Sequence, residues 1–340
     1  MSIPYPTRTL AQQTLRKSWF PVARSVDLTT PHSATLLGER LVVYRTASGK
    51  ATVQEARCLH RGGDLALGKV HGETIACPYH GWRFSAENGR CRYVPSLEDQ
   101  GKVPPKAAIR TLPAVERFGH VWTVLEQPLT EMYDPKHWQG KDFRWQPADP
   151  IDSPTGVGVA IENFADVAHF AFVHVGMMGE THPTIEPLIV RREGLEVWMD
   201  RALDACNGEW AKDGHCMMHY HIIAPGFIAI TYDYERLGER IVAGFPSPID
   251  YEHVKIFWGV ANAHDYRGEG LAECLRVEDL LYREDLPVVA RIQPREIDWD
   301  DVAVEYSVPA DLFTLTYRRA FRELMERAKG RAAATYAANA

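Results

Sequence analysis

The sequence predicts an α+β protein built in two parts. An all-β N-terminal domain is followed by a larger domain whose antiparallel sheet packs against long helices in a helix-grip-like arrangement. Three observations carry this. From about Ala34 to Glu126, β-branched and aromatic residues come in short runs separated by glycine-bearing turns such as "ASGK", "VHGE" and "ENGR". Residues 127–150 then hold four prolines and two tryptophans with little periodicity, which marks a domain junction. Beyond it, alternating apolar stretches give way to two long helical patterns.

Composition sets the frame. The 340 residues are 45% hydrophobic and 24% charged, and at roughly 100–200 residues per domain two domains are expected. We draw them at 1–130, 131–330 and a frayed alanine-rich tail at 331–340. Thirty-eight Lys and Arg against 45 Asp and Glu leave a net charge of −7, so no basic footprint points to nucleic acid. No apolar run approaches the ~18 residues of a membrane span. The N-terminus is too polar and too broken by proline for a signal peptide, so a reducing, cytoplasmic setting is expected. The six cysteines (58, 77, 91, 206, 216 and 274) are then thiols or metal ligands and not a disulfide framework.

In chain order, residues 10–20 predict a short amphipathic helix, counted with the first domain. "RLVVYRT", "ATVQEA", "ETIACP" and "HVWTVLE" predict strands of a small antiparallel barrel or sandwich. "IENFADVAHFAFVH" opens the second domain as a helix. "EVWMDRAL", "MMHYHII", "FIAITYDYE", "RIVAGFPS" and "VKIFWGVAN" predict its sheet, and "GLAECLRVEDLLYREDLPVVARIQ" and "LFTLTYRRAFRELMERAKG" its long helices.

Two loops at the ends of first-domain strands carry metal-ligand chemistry. "RCLHRGG" holds Cys58 and His60, and "ACPYHGW" holds Cys77 and His80. Zinc accepts such a Cys2His2 set. In zinc fingers, however, one loop gives the cysteines and another the histidines, whereas here each loop gives one of each. A dinuclear cluster could therefore take both cysteines on one iron and both histidines on the other, as in a Rieske [2Fe–2S] centre. Gly62, Gly63 and Gly81 allow close backbone approach, Pro78 stiffens its loop, and Tyr79 and Trp82 could shield it. The two loops closely resemble the Rieske motif of the Rieske non-haem iron oxygenases. A zinc-stabilised hairpin pair is the competing reading. The respiratory Rieske protein fits less well, because Gly63 and Tyr79 stand where its loops carry a further disulfide pair. Cys91 reads as a half-buried structural thiol.

"ENFADVAHFAFVH" holds Glu162, Asp166, His169 and His174 and resembles the mononuclear iron motif of the same family. There His169 and His174 would supply the imidazoles of a 2-His-1-carboxylate triad, which leaves Fe(II) positions open. On an ideal helix these two lie about 140° apart, so a distorted helix with a wide turn or π-bulge is expected. The carboxylate is sought among Glu278, Asp279, Glu284 and Asp285. Asp285 best matches the family's position and Asp279 is the fallback. Asp166, one turn before His169, could hold that ligand's free ring N–H. The resemblance further implies that Asp166 links His169 to His60 or His80 of a neighbouring subunit, within a homotrimer.

"HCMMHYHII" groups His215, Cys216, His219 and His221, read as a pocket-lining strand or surface histidines ahead of a third metal site. Residues 176–183 read as a flexible loop near the pocket mouth. "VPPKAAIRTLP" resembles a run that covers the Rieske domain's edge in this family. No G-x-G-x-x-G fingerprint occurs, so NAD(P)H would act only indirectly, through a separate reductase or ferredoxin. The resemblance implies a terminal oxygenase of the homo-oligomeric monooxygenase branch. It would use a [2Fe–2S] cluster, mononuclear Fe(II) and O2 to hydroxylate or oxidatively demethylate a small aromatic or heteroaromatic substrate. A ring-dihydroxylating dioxygenase and a plain Rieske electron-transfer protein are the alternatives.

Overall fold

The computed structural model describes residues 9–135, 138–139, 141–178, 182–202, 216–299 and 305–338. The chain divides into two compact units, Trp19–Gln127 and a larger one joining Met1–Ser18 to Pro128–Ala340.

The smaller unit is all β. Its strands are β1 (Phe20–Arg24), β2 (His32–Leu36), β3 (Glu39–Arg45), β4 (Ala51–Glu55), β5 (Lys69–His71), β6 (Thr74–Ala76), β7 (Arg83–Ser85), β8 (Cys91–Tyr93), β9 (Thr111–Leu112), β10 (Ala114–Arg117) and β11 (His120–Thr123). They form three small sheets, ordered β1-β11-β10, β2-β3-β4-β9 and β5-β6-β7-β8. Tyr44, Leu65, Ile75 and Phe84 make one core cluster that includes Cys58 and Cys77. A buried polar network crosses it. The Tyr44 hydroxyl donates to Gln54 Oε1 at 2.9 Å, and Gln54 Nε2 donates to the Ser85 carbonyl at 2.7 Å. Because unpaired buried polar groups are costly, this network fixes how β4 and β7 meet. The proline-bearing run 103–113 lies along two strand edges: the Cys91 amide donates to the Ala107 carbonyl at 2.7 Å, and β9 pairs with β4.

The larger unit begins with α1 (Leu10–Arg16), closed by a Thr9/Gln12 capping box. This helix was expected in the first domain. It lies instead in the larger unit, packed on the last helix, with Ala11 and Leu15 buried. Its partner stands some 300 residues away, which local periodicity cannot reveal. Strands β12 (Phe143–Pro147), β13 (Ile151–Ser153), β14 (Val190–Glu193), β15 (Glu196–Ala202), β16 (Cys216–Ile223), β17 (Phe227–Tyr234), β18 (Gly238–Pro248) and β19 (Val254–Ala263) form, among the described residues, one eight-stranded sheet. Its order is β12-β19-β18-β17-β16-β15-β14, with β13 also on β19, and every pairing is antiparallel.

Register decides which residues reach the helices. Met218, Tyr232 and Arg240 stand directly opposite one another, and so do Tyr220, Ile230 and Val242. These two rows share a face because residues two apart in a strand point the same way. The helices are α2 (Val157–Ala165), α3 (Phe170–Val173), α4 (Val175–Met178), α5 (Leu271–Val289) and α6 (Leu312–Ala338). α2 packs on β18, α5 on β19 and α6 on β15. Cys274, Val277, Glu278 and Tyr282 are buried on α5, spaced as one face of a helix, while Arg276–Glu273 and Arg283–Asp279 pairs occupy its outer side. α6 continues through Ala338, where a frayed tail was expected. Alanine has the highest helix propensity, which favours extending a helix already nucleated. No helix among the described residues is long and apolar enough to cross a membrane.

Buried Glu296 closes the start of α2. The Gly158 amide donates to both its oxygens, at 3.2 and 3.1 Å, and the Ile297 amide donates at 2.7 Å. Burial nonetheless pushes its pKa from 4.5 up to about 7. The folded protein therefore holds this proton more tightly than the unfolded chain. Its stabilising contribution is full below pH 4.5 and is lost as the pH rises to about 7. Glu296→Gln should remove that slope, shifting the variant's relative stability upward across the interval by about 3 kcal/mol. Urea unfolding at several pH values checks this, and parallel profiles would refute it.

Candidate metal centres

The two cysteine loops are built alike. In each, the amide four residues after the cysteine donates back to the cysteine carbonyl: Gly62 to Cys58 at 2.9 Å and Gly81 to Cys77 at 3.0 Å. Each cysteine amide donates forward by five residues, to Gly63 and Trp82 carbonyls at 2.8 Å. Gly62 and Gly81 sit at φ +72° and +70°, a conformation that strains any L side chain. A Cβ on Gly63 would lie 2.9 Å from Cys77 Sγ, so glycine is needed there for space.

The matched turns put sulfur inside and imidazole outside. Cys58 and Cys77 are buried, His60 is half-buried and His80 exposed. The His60 and His80 ring centroids are 4.5 Å apart, and the Trp82 indole stacks on His60 at 4.8 Å. Burial, with Cys77 adding to it, pushes the Cys58 thiol up to about 11. Desolvation, and after it the charges of His80 and Arg61, holds His60 below the ordinary histidine value. Among the described residues, no three of these four donors lie within 4.8 Å of one another. A tetrahedral zinc with bonds of about 2.3 Å needs its donors about 3.8 Å apart. A dinuclear cluster, with the two cysteines on one iron and the two histidines on the other, does not need all four donors around one ion.

In the larger unit the expected distorted helix is a broken one. α2 ends at Ala165, and Asp166 adopts extended backbone (φ −72°, ψ 130°). The chain restarts as the single turn α3, with His169 at its N-terminal cap and His174 at its C-terminal cap. Two cap positions, and no π-bulge, bring the imidazoles together. His169 Nε2 and His174 Nε2 are 3.0 Å apart, and Asp285 Oδ1 lies 3.4 and 3.3 Å from them. Donors at right angles on bonds of about 2.1 Å stand about 3.0 Å apart, so the three can cap one face of an octahedral ion.

Proton placement strengthens the fit. His169 Nδ1 faces Asp166 Oδ2 at 3.3 Å, and His174 Nδ1 faces Glu284 Oε2 at 3.0 Å. Ionised carboxylates only accept, so each Nδ1 carries its ring's proton and each Nε2 is left bare. Asp285 Oδ1 is buried without a hydrogen-bond partner. Three donor atoms thus converge on one point, an arrangement that a cation stabilises. Burial raises the Asp285 pKa, against the opposing charges of His174 and His169, while the Asn163 amide bonds its carboxylate. Partial burial raises the Asp166 pKa, but bonds from the His169 ring and the Ala168 amide outweigh that and hold it below the usual range.

A pocket adjoins the triad, lined by Phe164, Phe170, Ile230, Val242 and Leu281 among others. The other candidate acids go elsewhere. Asp279 pairs with Arg283 at 2.6 Å on the outer side of α5, and Glu278 pairs with Arg240 at 3.1 Å. Glu162 is held by Arg318 at 2.5 and 2.7 Å, tying α2 to α6. Glu284, weighed from sequence only as a ligand, orients His174. Its neighbour Asp285 gave no hint of this, because the partner is 110 residues away. His219 bonds Asp200 at 2.7 Å, and His221 bonds Glu196 at 2.9 Å while stacking on Trp198. Both alternate with Met218 and Tyr220, so the β16 histidines face away from the triad pocket, and no third metal group occurs among the described residues. His215, Cys206 and residues 179–181 of the expected loop lie outside the described residues.

Residues 18–113 match the family described as Rieske [2Fe-2S] domain, and residues 155–327 the vanillate O-demethylase oxygenase C-terminal domain. The chain belongs to the Rieske non-haem iron oxygenases. It is 28% identical over 325 residues to methylxanthine N1-demethylase NdmA of Pseudomonas putida, covering 92% of this chain and 90% of that one. The structure of NdmA with caffeine superposes with a TM-score of 0.82 at 26% identity, over 94% and 93% of the two chains. Methylxanthine N3-demethylase NdmB of Pseudomonas putida is 28% identical over 336 residues, 91% of this chain and 89% of that one. Oxidoreductase NdmD of the same organism matches over 116 residues at 42% identity, 33% of this chain and 19% of that one. This Rieske oxygenase is therefore an oxidoreductase with two cofactors, a [2Fe–2S] cluster and a non-haem iron. In it, Glu284→Ala should weaken divalent-metal affinity at the His169–His174–Asp285 group by about 10–100-fold. Metal titration followed by elemental analysis measures the loss, and an unchanged affinity would remove the orienting role.

Proposed function

We propose that this protein is a terminal oxygenase in which Cys58, His60, Cys77 and His80 hold the cluster and His169, His174 and Asp285 hold the iron. A separate reductase or ferredoxin would supply electrons, NAD(P)H being its fuel. Its substrate is a small aromatic or heteroaromatic molecule, hydroxylated or oxidatively demethylated. The observation that carries the reading is the convergence of three donor atoms beneath an apolar pocket. An electron carrier has no use for that second centre.

When bound, the cluster delivers single electrons and the iron activates O2. The remaining work falls to the chain. Asp166 and Glu284 fix the two rings by their Nδ1 protons, and Asn163 steadies the carboxylate. Phe164, Phe170 and Leu281 exclude water and hold the substrate's C–H bond over the triad. One atom of O2 enters the substrate and the other leaves as water. If the C–H belongs to an N- or O-methyl group, formaldehyde then departs and leaves N–H or O–H.

Asp166 remains 36% exposed while touching His169, which suits a bridge to the partner subunit's cluster ligands in a closed homotrimer. A reducing cytoplasm suits the buried free thiols Cys91 and Cys274. The purified protein should contain about three irons and two acid-labile sulfides per chain. His169→Ala should keep the cluster's visible spectrum and abolish turnover. Asp166→Asn should keep both metals and stop electron delivery. Zinc, or a cluster with no further iron, would overturn the reading, and undiminished turnover in Asp166→Asn would remove the bridge.

A further inference from the structure

The triad pocket holds polar groups that the iron chemistry does not use. On α5, Glu278, Tyr282 and Asp285 follow at intervals of four and three, so one helix face carries all three to the pocket. Glu278 is 4% exposed. Its Oε1 accepts from Arg240 Nη2 at 3.1 Å, and Oε2 makes no hydrogen bond among the described residues. The Tyr282 hydroxyl is buried with no hydrogen-bond partner among the described residues. Its ring is wedged between Trp258 and Phe164, at 5.0 and 5.6 Å, so the hydroxyl cannot swing out to water. Arg240 shares the sheet face of Met218 and Tyr232, over the Tyr232 ring at 4.8 Å and bonded to Glu278. Among the described residues, no lysine or arginine lines the pocket itself.

Each group asks for a different complement. A carboxylate oxygen accepts, so Glu278 Oε2 calls for an N–H or O–H on the ligand. A buried phenol without a partner calls for an acceptor. A ligand carboxylate meets only one of these needs: it can accept from Tyr282, but it brings no donor to Glu278 Oε2 and sets a second anion beside it. Resting on the oxygenase reading, we infer that the pocket selects uncharged substrates with an adjacent N–H donor and C=O acceptor, as in a carboxamide or lactam, over aryl carboxylates. The N–H pairs with Glu278 and the carbonyl with Tyr282, which turns the opposite end of the molecule toward the triad.

The test compares 4-methoxybenzamide with 4-methoxybenzoate, which differ only in NH2 against O−. Calorimetric binding to the metal-loaded protein needs neither reductase nor turnover. The amide should bind at least about tenfold more tightly than the carboxylate. Tyr282→Phe should weaken the amide by about 5–20-fold without changing metal content or the cluster spectrum. Glu278→Gln should narrow the preference. Should breaking the Arg240 pair prevent folding, Tyr282→Phe alone decides. Benzoate binding as tightly as the amide, no amide binding at millimolar concentration, or an unaffected Tyr282→Phe would each overturn the inference while leaving the oxygenase reading intact if metal content is full. Absence of the second metal would overturn both.

Discussion

Three donor atoms pointed at one another constrain this protein more than any other feature. His169 Nε2, His174 Nε2 and Asp285 Oδ1 stand 3.0–3.4 Å apart, an arrangement that a cation stabilises. Much of the larger unit keeps them there. α2 must end at Asp166 so that the chain can turn, and one helical turn must place the histidines at its two ends. α5 must present Asp285 to the triad while Glu284 reaches around to His174. Glu162–Arg318 anchors α2 against α6, and the buried faces of α2 and α5 rest on the sheet.

The smaller unit solves a related problem by symmetry. One turn design, used twice, brings two cysteines into a core and leaves two imidazoles at the rim. Its repeated amide-to-carbonyl bonds and its left-handed glycines are local, so they could be read from the sequence. The burial of the two cysteines against the exposed rim of the two imidazoles could not, because it depends on the core that closes over the loops.

The same division runs through the whole chain. Residues whose role depends on near neighbours were legible: the ligand-bearing loops, His169 with His174, the strand runs and the long helices. Residues whose role depends on a distant partner were not. Glu284 needed a histidine 110 positions away, Arg240 needed Glu278, and α1 needed α6. The π-bulge expectation failed for a subtler reason. Spacing on an ideal helix identifies a conflict, but relief by a break or by a bulge is decided by capping: Asp166 holds the Ala168 amide with one oxygen and the His169 ring with the other.

Strand β16 alternates Met218 and Tyr220 on the triad side with His219 and His221 on the far side. Sheet pairing has a period of two, so a slip of one residue exchanges the faces. The slipped sheet would carry two more imidazoles to a site that must keep coordination positions open. Pairing register in this sheet thus guards the vacancy of the metal as much as the packing of the core. Insertions or deletions of a single residue in β16 or its turns would cost the protein its chemistry before they cost it its fold.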